Sequence, residues 1–194
     1  SWIGVSGIFW LTGLCALLSI AVVWFRVPNP ALSRVHRDAE PVASQFGQVL
    51  ADIQLLRLNF GIFILHLLLT ATFVAMPLAL RDAGLPSDRH WEVYLPALLL
   101  SMAAIIPFII LAEKHHWLKS VFLGAILTLA LTEFGLLTLH EHVLEMSVLL
   151  LTFFTGFNLL EATLPSLIAK MAPPDAKGTA MGVYSSSQFL GAFA

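Results

Sequence analysis

Charged side chains are scarce in this sequence. Asp, Glu, Lys and Arg make up 11% of its 194 residues, whereas ordinary globular domains carry about 25%. So few charges do not supply the polar coat of a soluble domain, and the composition also excludes a disordered chain. The net charge of -2 gives no basic surface for a nucleic acid, so no nucleic-acid partner is expected. The composition predicts an integral membrane protein that contacts the lipid bilayer.

Cysteine and the common catalytic motifs are also lacking. The single cysteine, Cys15, excludes a disulfide scaffold and a cysteine-based metal site. The sequence has no G-x-S-x-G elbow, no H-E-x-x-H helix and no glycine-rich phosphate loop. We therefore expect no catalytic residue, no metal site and no cofactor, and we predict that the chain is not an enzyme. The histidines at 115–116 and at 140 and 142 are interpreted as loop residues.

One enzyme class stays open as an alternative, a polytopic membrane enzyme such as an intramembrane protease. Such an enzyme needs a serine and a histidine that face each other inside the membrane. His66 with Ser101 or Ser166 gives a loose combination of this kind.

Long apolar runs dominate the sequence. A membrane-crossing helix needs about 20 largely apolar residues, and backbone groups in lipid must be paired within the segment, which favours helices. We therefore predict an all-α polytopic membrane bundle of about six transmembrane helices. The runs cover residues 2–25, 58–80, 93–112, 117–139 and 146–169, with a sixth that begins near residue 178 and is cut off at the last residue.

The connections between these runs differ in charge. Lys and Arg split eight against two between the two sides of the membrane, and cytoplasmic loops carry the excess. Residues 26–52, 113–119 and 170–177 are therefore predicted to be cytoplasmic. The predicted organisation is a transmembrane helix at 1–25, a linker at 26–52 and a bundle at 53–194. Within the linker, apolar residues at helical spacing predict an amphipathic surface helix over 38–53.

Apart from Lys119 near the start of its run, three ionisable residues lie inside the apolar runs, where an ionisable group is costly and usually faces a cavity or a partner. Glu161 is the first candidate for proton coupling, His66 the second and Glu133 the third. For each of them, the alternative is a structural side chain that is hydrogen-bonded to a neighbouring helix. No motif joins the three.

Neutral polar and aromatic residues share helix faces with these candidates. Asn158 lies three residues before Glu161, and Asn59 and Phe73 lie on the His66 face at i-7 and i+7. Tyr184 and Gln188 share a face of the last helix. The candidates for lining a substrate cavity are Asn59, Phe73, Asn158, Tyr184 and Gln188.

Small residues recur at a spacing of four at the start of the last run. Gly178, Gly182 and Ser186 therefore share one helix face, and small residues at this spacing let helices approach closely. The sequence predicts that this face is a helix-packing surface.

Two stretches carry a family resemblance. One runs from Phe157 to Leu167 and reads FNLLEATLPSL, and the other runs from Lys177 to Gly191 and reads KGTAMGVYSSSQFLG. Together they resemble the tenth and eleventh helices of major facilitator superfamily transporters, closest to the YajR-like branch of the drug/proton antiporters. The Lys-Gly pair at the helix start and the later Gly-Val-Tyr-Ser and Gln-Phe are the more specific part.

The resemblance implies that residues 1–25 correspond to helix six and the rest to helices seven to eleven. We therefore interpret the chain as the C-terminal half of a transporter whose N-terminal half would be its partner. Glu113 and Lys114 occupy the acid–base pair of a degenerate copy of the cytoplasmic motif G-x-x-x-D-[RK]-x-G, since Ile109 and His116 replace its glycines. The resemblance makes this pair a candidate cytoplasmic gate.

The implied function is efflux of a small amphipathic compound in exchange for protons, by alternating access, in a bacterial inner membrane. Two alternatives stay open beside it. One is a proton-linked solute importer on the same scaffold, and the other is an inert truncated membrane fragment.

Overall fold

The structure is a computed structural model that describes residues 4–28, 42–114 and 117–194. The chain divides into two compact units, residues 1–36 and 37–194. The first unit contains helix α1 (Gly4–Arg26), which is apolar along its length and ends on a basic residue. Its described side chains are mostly exposed, including Trp10 and Trp24 at 81% and 80%. An apolar helix whose side chains are exposed in this way is suited to contact with the lipid of a membrane.

The second unit is a helix bundle. It begins with a 3₁₀ turn at Ala43–Gln45 and continues through α2 (Phe46–Ala51), α3 (Ile53–Asp82) and a second 3₁₀ turn at Ser87–Arg89. It then contains α4 (Trp91–Lys114), α5 (Leu118–Thr138), α6 (Val143–Met171) and α7 (Lys177–Phe193).

Five helices, α1 and α3 to α6, are long and apolar enough to cross a membrane. Helix α7 is shorter, with 17 residues. No strand occurs in the described ranges. The predicted all-α polytopic class is confirmed.

Helix α6 forms the centre of this bundle. Its buried side chains include Leu150, Phe153 and Ile168, each with no exposed surface. It contacts α3, α4, α5 and α7, and it continues unbroken through Pro165. Because four helices pack around α6, a polar residue on it can meet side chains from several neighbours.

Helices α3 and α7 contact each other more extensively than any other pair of helices in this unit. Gly191 lies against the backbone of Phe63, so that a Cβ at position 191 would lie 2.1 Å from the Phe63 carbonyl oxygen. Next to this contact, the Thr70 hydroxyl donates a hydrogen bond to the carbonyl of Ala192 at 3.1 Å. The absence of a side chain at Gly191 therefore sets the distance between the two helices.

The linker helix differs from its prediction over 38–53. Residues 38–41 lie outside the described ranges, and α2 ends at Ala51. Asp52 is extended, and its carboxylate accepts hydrogen bonds from the amides of Gln54 and Leu55, so that it starts α3 as an N-cap. The predicted apolar face is split as a result. Val49 is buried, while Phe46 and Leu50 are exposed.

The linker is fastened to the start of α7. The Val42 amide donates to the Thr179 hydroxyl at 2.9 Å, and that hydroxyl donates to the Gln45 side-chain oxygen at 3.2 Å. The Gln45 amide nitrogen donates to the Asp175 carbonyl at 3.0 Å. Thr179 has no exposed surface. This clamp joins the linker to the first turn of α7.

Thr179→Val is expected to loosen the clamp. Valine keeps the shape of threonine but leaves the Val42 amide unpaired, so the free energy of unfolding should fall by about 1–2 kcal/mol. Hydrogen exchange of residues 42–51 should accelerate. Ser186→Ala is the control, because the Ser186 hydroxyl is exposed and bonds to its own helix. Equal exchange in both variants would contradict the clamp.

Candidate functional site

A polar cluster joins three helices in the middle of the bundle. The Gln188 side-chain nitrogen on α7 lies 2.9 Å from His66 Nε2 on α3 and 3.1 Å from Glu161 Oε1 on α6. His66 Nε2 and Glu161 Oε2 are 3.9 Å apart. Two of the three predicted proton-coupling candidates and one cavity candidate therefore meet at one place.

The cluster lies well inside the helices. His66 is 13 residues from the start of α3, about 20 Å along its axis, and Gln188 is 11 residues from the start of α7, about 17 Å. The side chains of His66 and Glu161 are 12% and 35% exposed. The Phe157 ring packs against the His66 ring edge-on, with centroids 5.7 Å apart. A carboxyl group and an imidazole are thus held at membrane depth, beside an aromatic wall.

The hydrogen bonds assign the protons of the cluster. His66 Nδ1 lies 3.3 Å from the Ile62 carbonyl, which can only accept, so Nδ1 carries a hydrogen. The Gln188 amide nitrogen can only donate, so His66 Nε2 accepts. In this arrangement His66 therefore donates from Nδ1 and accepts at Nε2. The two hydrogens of the Gln188 amide are used on His66 and on the Glu161 carboxylate.

Three polar side chains on α3, α6 and α7 have buried atoms without a hydrogen-bond partner in the described chain. They are both amide atoms of Asn59, the Tyr184 hydroxyl and Glu161 Oε2. Asn59 and Tyr184 are 4% and 3% exposed. Tyr184 lies one turn before Gln188 on α7, close enough for its phenol to interact electrostatically with the Glu161 carboxylate. Buried polar atoms are normally satisfied by protein or water, so these atoms mark positions for water or a bound molecule.

A crevice between α3 and α7 is lined by one of these side chains, Asn59. Its volume is about 520 Å³, and its lining includes Arg57, Asn59 and Ser187. A larger cavity of about 940 Å³ lies between α4, α5 and α6 and is lined by none of the predicted site residues. Cavity volume alone therefore does not identify where the predicted site residues lie in the bundle.

Glu133 lies apart from the cluster. Its carboxylate accepts a hydrogen bond from the Thr72 hydroxyl at 3.2 Å, which links α5 to α3. It lines a smaller cavity of about 300 Å³ together with Thr72, His140 and Met146. This geometry matches the structural alternative for Glu133, a carboxyl group bonded across helices. Its role in proton coupling stays a prediction.

Thr72→Val is expected to lower the free energy of unfolding by about 1–3 kcal/mol, because the half-buried Glu133 carboxyl loses its donor. Thermal unfolding in detergent measures the change. Thr163→Val is the matched control, since the Thr163 hydroxyl bonds to carbonyls of its own helix. An equal loss of stability in both variants would show that the Thr72 bond contributes nothing specific.

The remaining cavity candidates lie on other surfaces of the bundle. Asn158 donates to the Ser101 hydroxyl at 3.1 Å, so it faces α4. Phe73 is 45% exposed and stacks on Tyr94, with ring centroids 5.8 Å apart. Ser101 itself donates to the Leu98 carbonyl. The hydrogen-bond partners of Ser101 are thus the Asn158 amide and the Leu98 carbonyl. Those of the His66 ring are Gln188 and Ile62, so the serine and the histidine bond to different partners.

The close helix contact that the structure describes on α7 is made by Gly191. A Cβ at Gly182 would meet nothing within 4 Å, and Ser186 is exposed. The buried residues of α7 include Thr179, Val183, Tyr184 and Gly191. Gly182 lies about 180° from Gly191 round the helix. The packing role of Gly178, Gly182 and Ser186 stays a prediction.

The predicted cytoplasmic gate is described in part. Lys114 is the last residue of α4 and is exposed. The side chain of Glu113 and residues 115–116 lie outside the described part of the chain. The gate role of Glu113 and Lys114 stays a prediction.

Sequence reasoning missed several polar contacts that order the bundle. Thr72, Ser101 and Thr179 are buried and bond to side chains of other helices or of the linker. Threonine and serine are common in membrane helices, where they usually bond to a carbonyl of their own helix, as Thr132 and Thr152 do. The residue type alone does not distinguish the serines and threonines that bond to another helix from those that bond to their own helix. Among the described residues, no group of three or more His, Cys, Asp or Glu side chains is arranged to hold a metal ion.

Comparison with known proteins places these features in context. Residues 1–194 match the family model of the Major Facilitator Superfamily. The chain is 43% identical to the inner membrane transport protein YajR of Escherichia coli, over 97% of this chain and 42% of that protein. It is 29% identical to an uncharacterized transporter of Buchnera aphidicola, over 98% of this chain and 49% of that protein.

A more distant relative has a name that states a function. The chain is 28% identical to the multidrug resistance protein MdtH of Aeromonas hydrophila, over 91% of this chain and 42% of that protein. The chain spans less than half the length of these relatives. No solved structure matches it.

Proposed function

Because the chain belongs to the Major Facilitator Superfamily, we propose that it forms half of a secondary transporter in the bacterial inner membrane. The proposed reaction is efflux of a small amphipathic compound in exchange for protons, by alternating access. Two relatives support this, since one is named an inner membrane transport protein and another a multidrug resistance protein. The proposal concerns transport and assigns no catalytic residue.

The His66–Gln188–Glu161 cluster carries the proposal. A carboxyl group at membrane depth is costly and is retained where it has a partner or a function. Glu161 has one oxygen bonded to Gln188 and one buried oxygen without a partner, to which a proton can bind. His66 Nε2 lies 3.9 Å from Glu161 Oε2, and the Tyr184 phenol is close enough to interact electrostatically with the Glu161 carboxylate.

The substrate is proposed to bind beside this cluster. Asn59 and Tyr184 contribute hydrogen-bonding atoms without partners, while Phe157 contributes an aromatic surface. Such a combination suits a compound with an apolar body and a few polar groups. In an exchanger, substrate and proton compete for the same site, so a proton on Glu161 and a bound substrate would alternate.

A vesicle experiment separates the proposal from its alternative, a proton-linked importer. Sealed inverted vesicles that carry the complete gene product are given an imposed pH gradient, and the accumulation of amphipathic dyes is followed. We expect accumulation against the direction of proton flow, which is that of an exchanger. Accumulation along the proton flow would favour the importer, and no response to the gradient would contradict proton coupling.

A further inference from the structure

Gln188 lies between two groups that would otherwise form an ion pair. Its amide nitrogen is 2.9 Å from His66 Nε2 and 3.1 Å from Glu161 Oε1, while the direct distance from His66 Nε2 to Glu161 Oε2 is 3.9 Å. At 3.9 Å no hydrogen bond joins the imidazole and the carboxylate. The amide thus occupies the contact that a protonated His66 would make with Glu161.

We infer that Gln188 is a positioning residue that holds His66 in its neutral Nδ1–H form and separates it from Glu161. The Gln188 nitrogen donates only, so the His66 atom opposite it must be an acceptor. A proton on His66 Nε2 would place two donors against each other. The Gln188 bridge and a protonated His66 therefore exclude each other in this arrangement.

Rotation of the amide does not remove the conflict by itself. Turning the Gln188 side chain by 180° places its oxygen against His66 Nε2, where it can accept from a protonated ring. The same turn places that oxygen against Glu161 Oε1, which repels it unless Glu161 donates a hydrogen. A turned amide therefore suits a ring protonated on Nε2 only when Glu161 also presents a hydrogen at Oε1.

The position of Gln188 on α7 links this chemistry to helix movement. His66 is on α3 and Glu161 on α6, so a displacement of α7 from either helix withdraws the amide from the cluster. His66 then becomes free to take a proton and to pair with Glu161 directly. Tyr184, one turn away on α7, is the other titratable group near the cluster, and it moves with Gln188. This inference deepens the proposed function and rests on it for its role in transport.

The tautomer of His66 tests the inference without any transport measurement. The chain is labelled with ¹⁵N-histidine, embedded in lipid nanodiscs and measured by NMR at neutral pH, with His66→Gln used to assign the signal. We expect a protonated Nδ1 and an unprotonated Nε2 in the unmodified chain. In Gln188→Glu, a carboxylate that can accept faces Nε2 while the Ile62 carbonyl still faces Nδ1, so Nε2 should carry a hydrogen in addition to the one on Nδ1.

Two further variants complete the test. In Gln188→Leu the Ile62 carbonyl still faces Nδ1, so the Nδ1 hydrogen should persist, while no donor faces Nε2 any longer and a ring with hydrogens on both nitrogens should appear. In Ser187→Ala the pattern of the unmodified chain should persist, because the Ser187 hydroxyl bonds to the Val183 carbonyl of its own helix. A hydrogen on Nε2 in the unmodified chain, or an Nε2 without a hydrogen in both Gln188 variants, would overturn the inference.

The inference and the proposed function can fail separately. The NMR result reports the tautomer whether or not the protein exchanges protons for substrate. Proton coupling that survives Glu161→Gln would remove Glu161 from the proposed mechanism and leave the tautomer result intact, and transport without any response to a pH gradient would remove the proposed function. A wrong tautomer would remove the role of Gln188 and leave proton coupling through Glu161 possible.

Discussion

Glu161→Gln is expected to abolish pH-driven transport while the protein still inserts in the membrane. Glutamine has nearly the same size as glutamate and can still bond to Gln188, so packing around α6 should persist. It cannot bind and release a proton at the position where Glu161 Oε2 has no partner. Transport driven by an imposed pH gradient should fall to the background of vesicles that lack the transporter.

Glu145→Gln is the matched control for this variant. Glu145 lies in the first turn of the same helix, far from the cluster, and the substitution is chemically identical. Transport should be retained in this control, and the two variants should reach similar levels in the membrane. Unchanged coupling of transport to pH in Glu161→Gln would remove Glu161 from the mechanism.

Gly191→Val is expected to separate α3 from α7. A Cβ at position 191 would lie 2.1 Å from the Phe63 carbonyl oxygen and 2.8 Å from its carbon, both of them backbone atoms that cannot turn aside. The helices must move apart, and overpacking of this kind costs about 1–3 kcal/mol. The bond from Thr70 to the Ala192 carbonyl lies next to this contact and should weaken with it. Thermal unfolding in detergent should occur at a clearly lower temperature.

Gly182→Ala on the same helix provides the comparison. An added Cβ there meets no atom within 4 Å, and alanine is favoured over glycine in a helix by up to about 1 kcal/mol. The variant should unfold at the same temperature as the unmodified protein or higher. Equal destabilisation by the two variants would contradict the close approach at Gly191 and favour the predicted stripe at Gly178, Gly182 and Ser186.

The helices were predictable from the sequence because lipid leaves few choices. A run of about 20 apolar residues without charges has to satisfy its backbone internally, which fixes both its structure and its approximate length. The ends were less predictable. Helix α3 begins at Ile53, five residues before the predicted run, because Asp52 caps it and the polar residues Gln54 and Arg57 lie in its first turns.

The cluster was predictable as a set of residues but not as a contact. The cost of burying His66 and Glu161 identified them singly, and the helical spacing brought Gln188 to attention separately. A spacing of three or four places residues on one face of a helix and does not tell which neighbour that face meets. The same limit applies to α7, because the Gly178, Gly182 and Ser186 spacing is real while the buried residues of this helix include Thr179, Val183, Tyr184 and Gly191.

Substrate-induced proton release is the most direct test of competition between proton and substrate at Glu161. The purified transporter is placed in weakly buffered detergent solution with a pH indicator, and an amphipathic compound that it exports is added. The account predicts that the unmodified protein releases protons on binding and that Glu161→Gln releases none. Release of the same size in Glu161→Gln, or binding with no release in the unmodified protein, would contradict it.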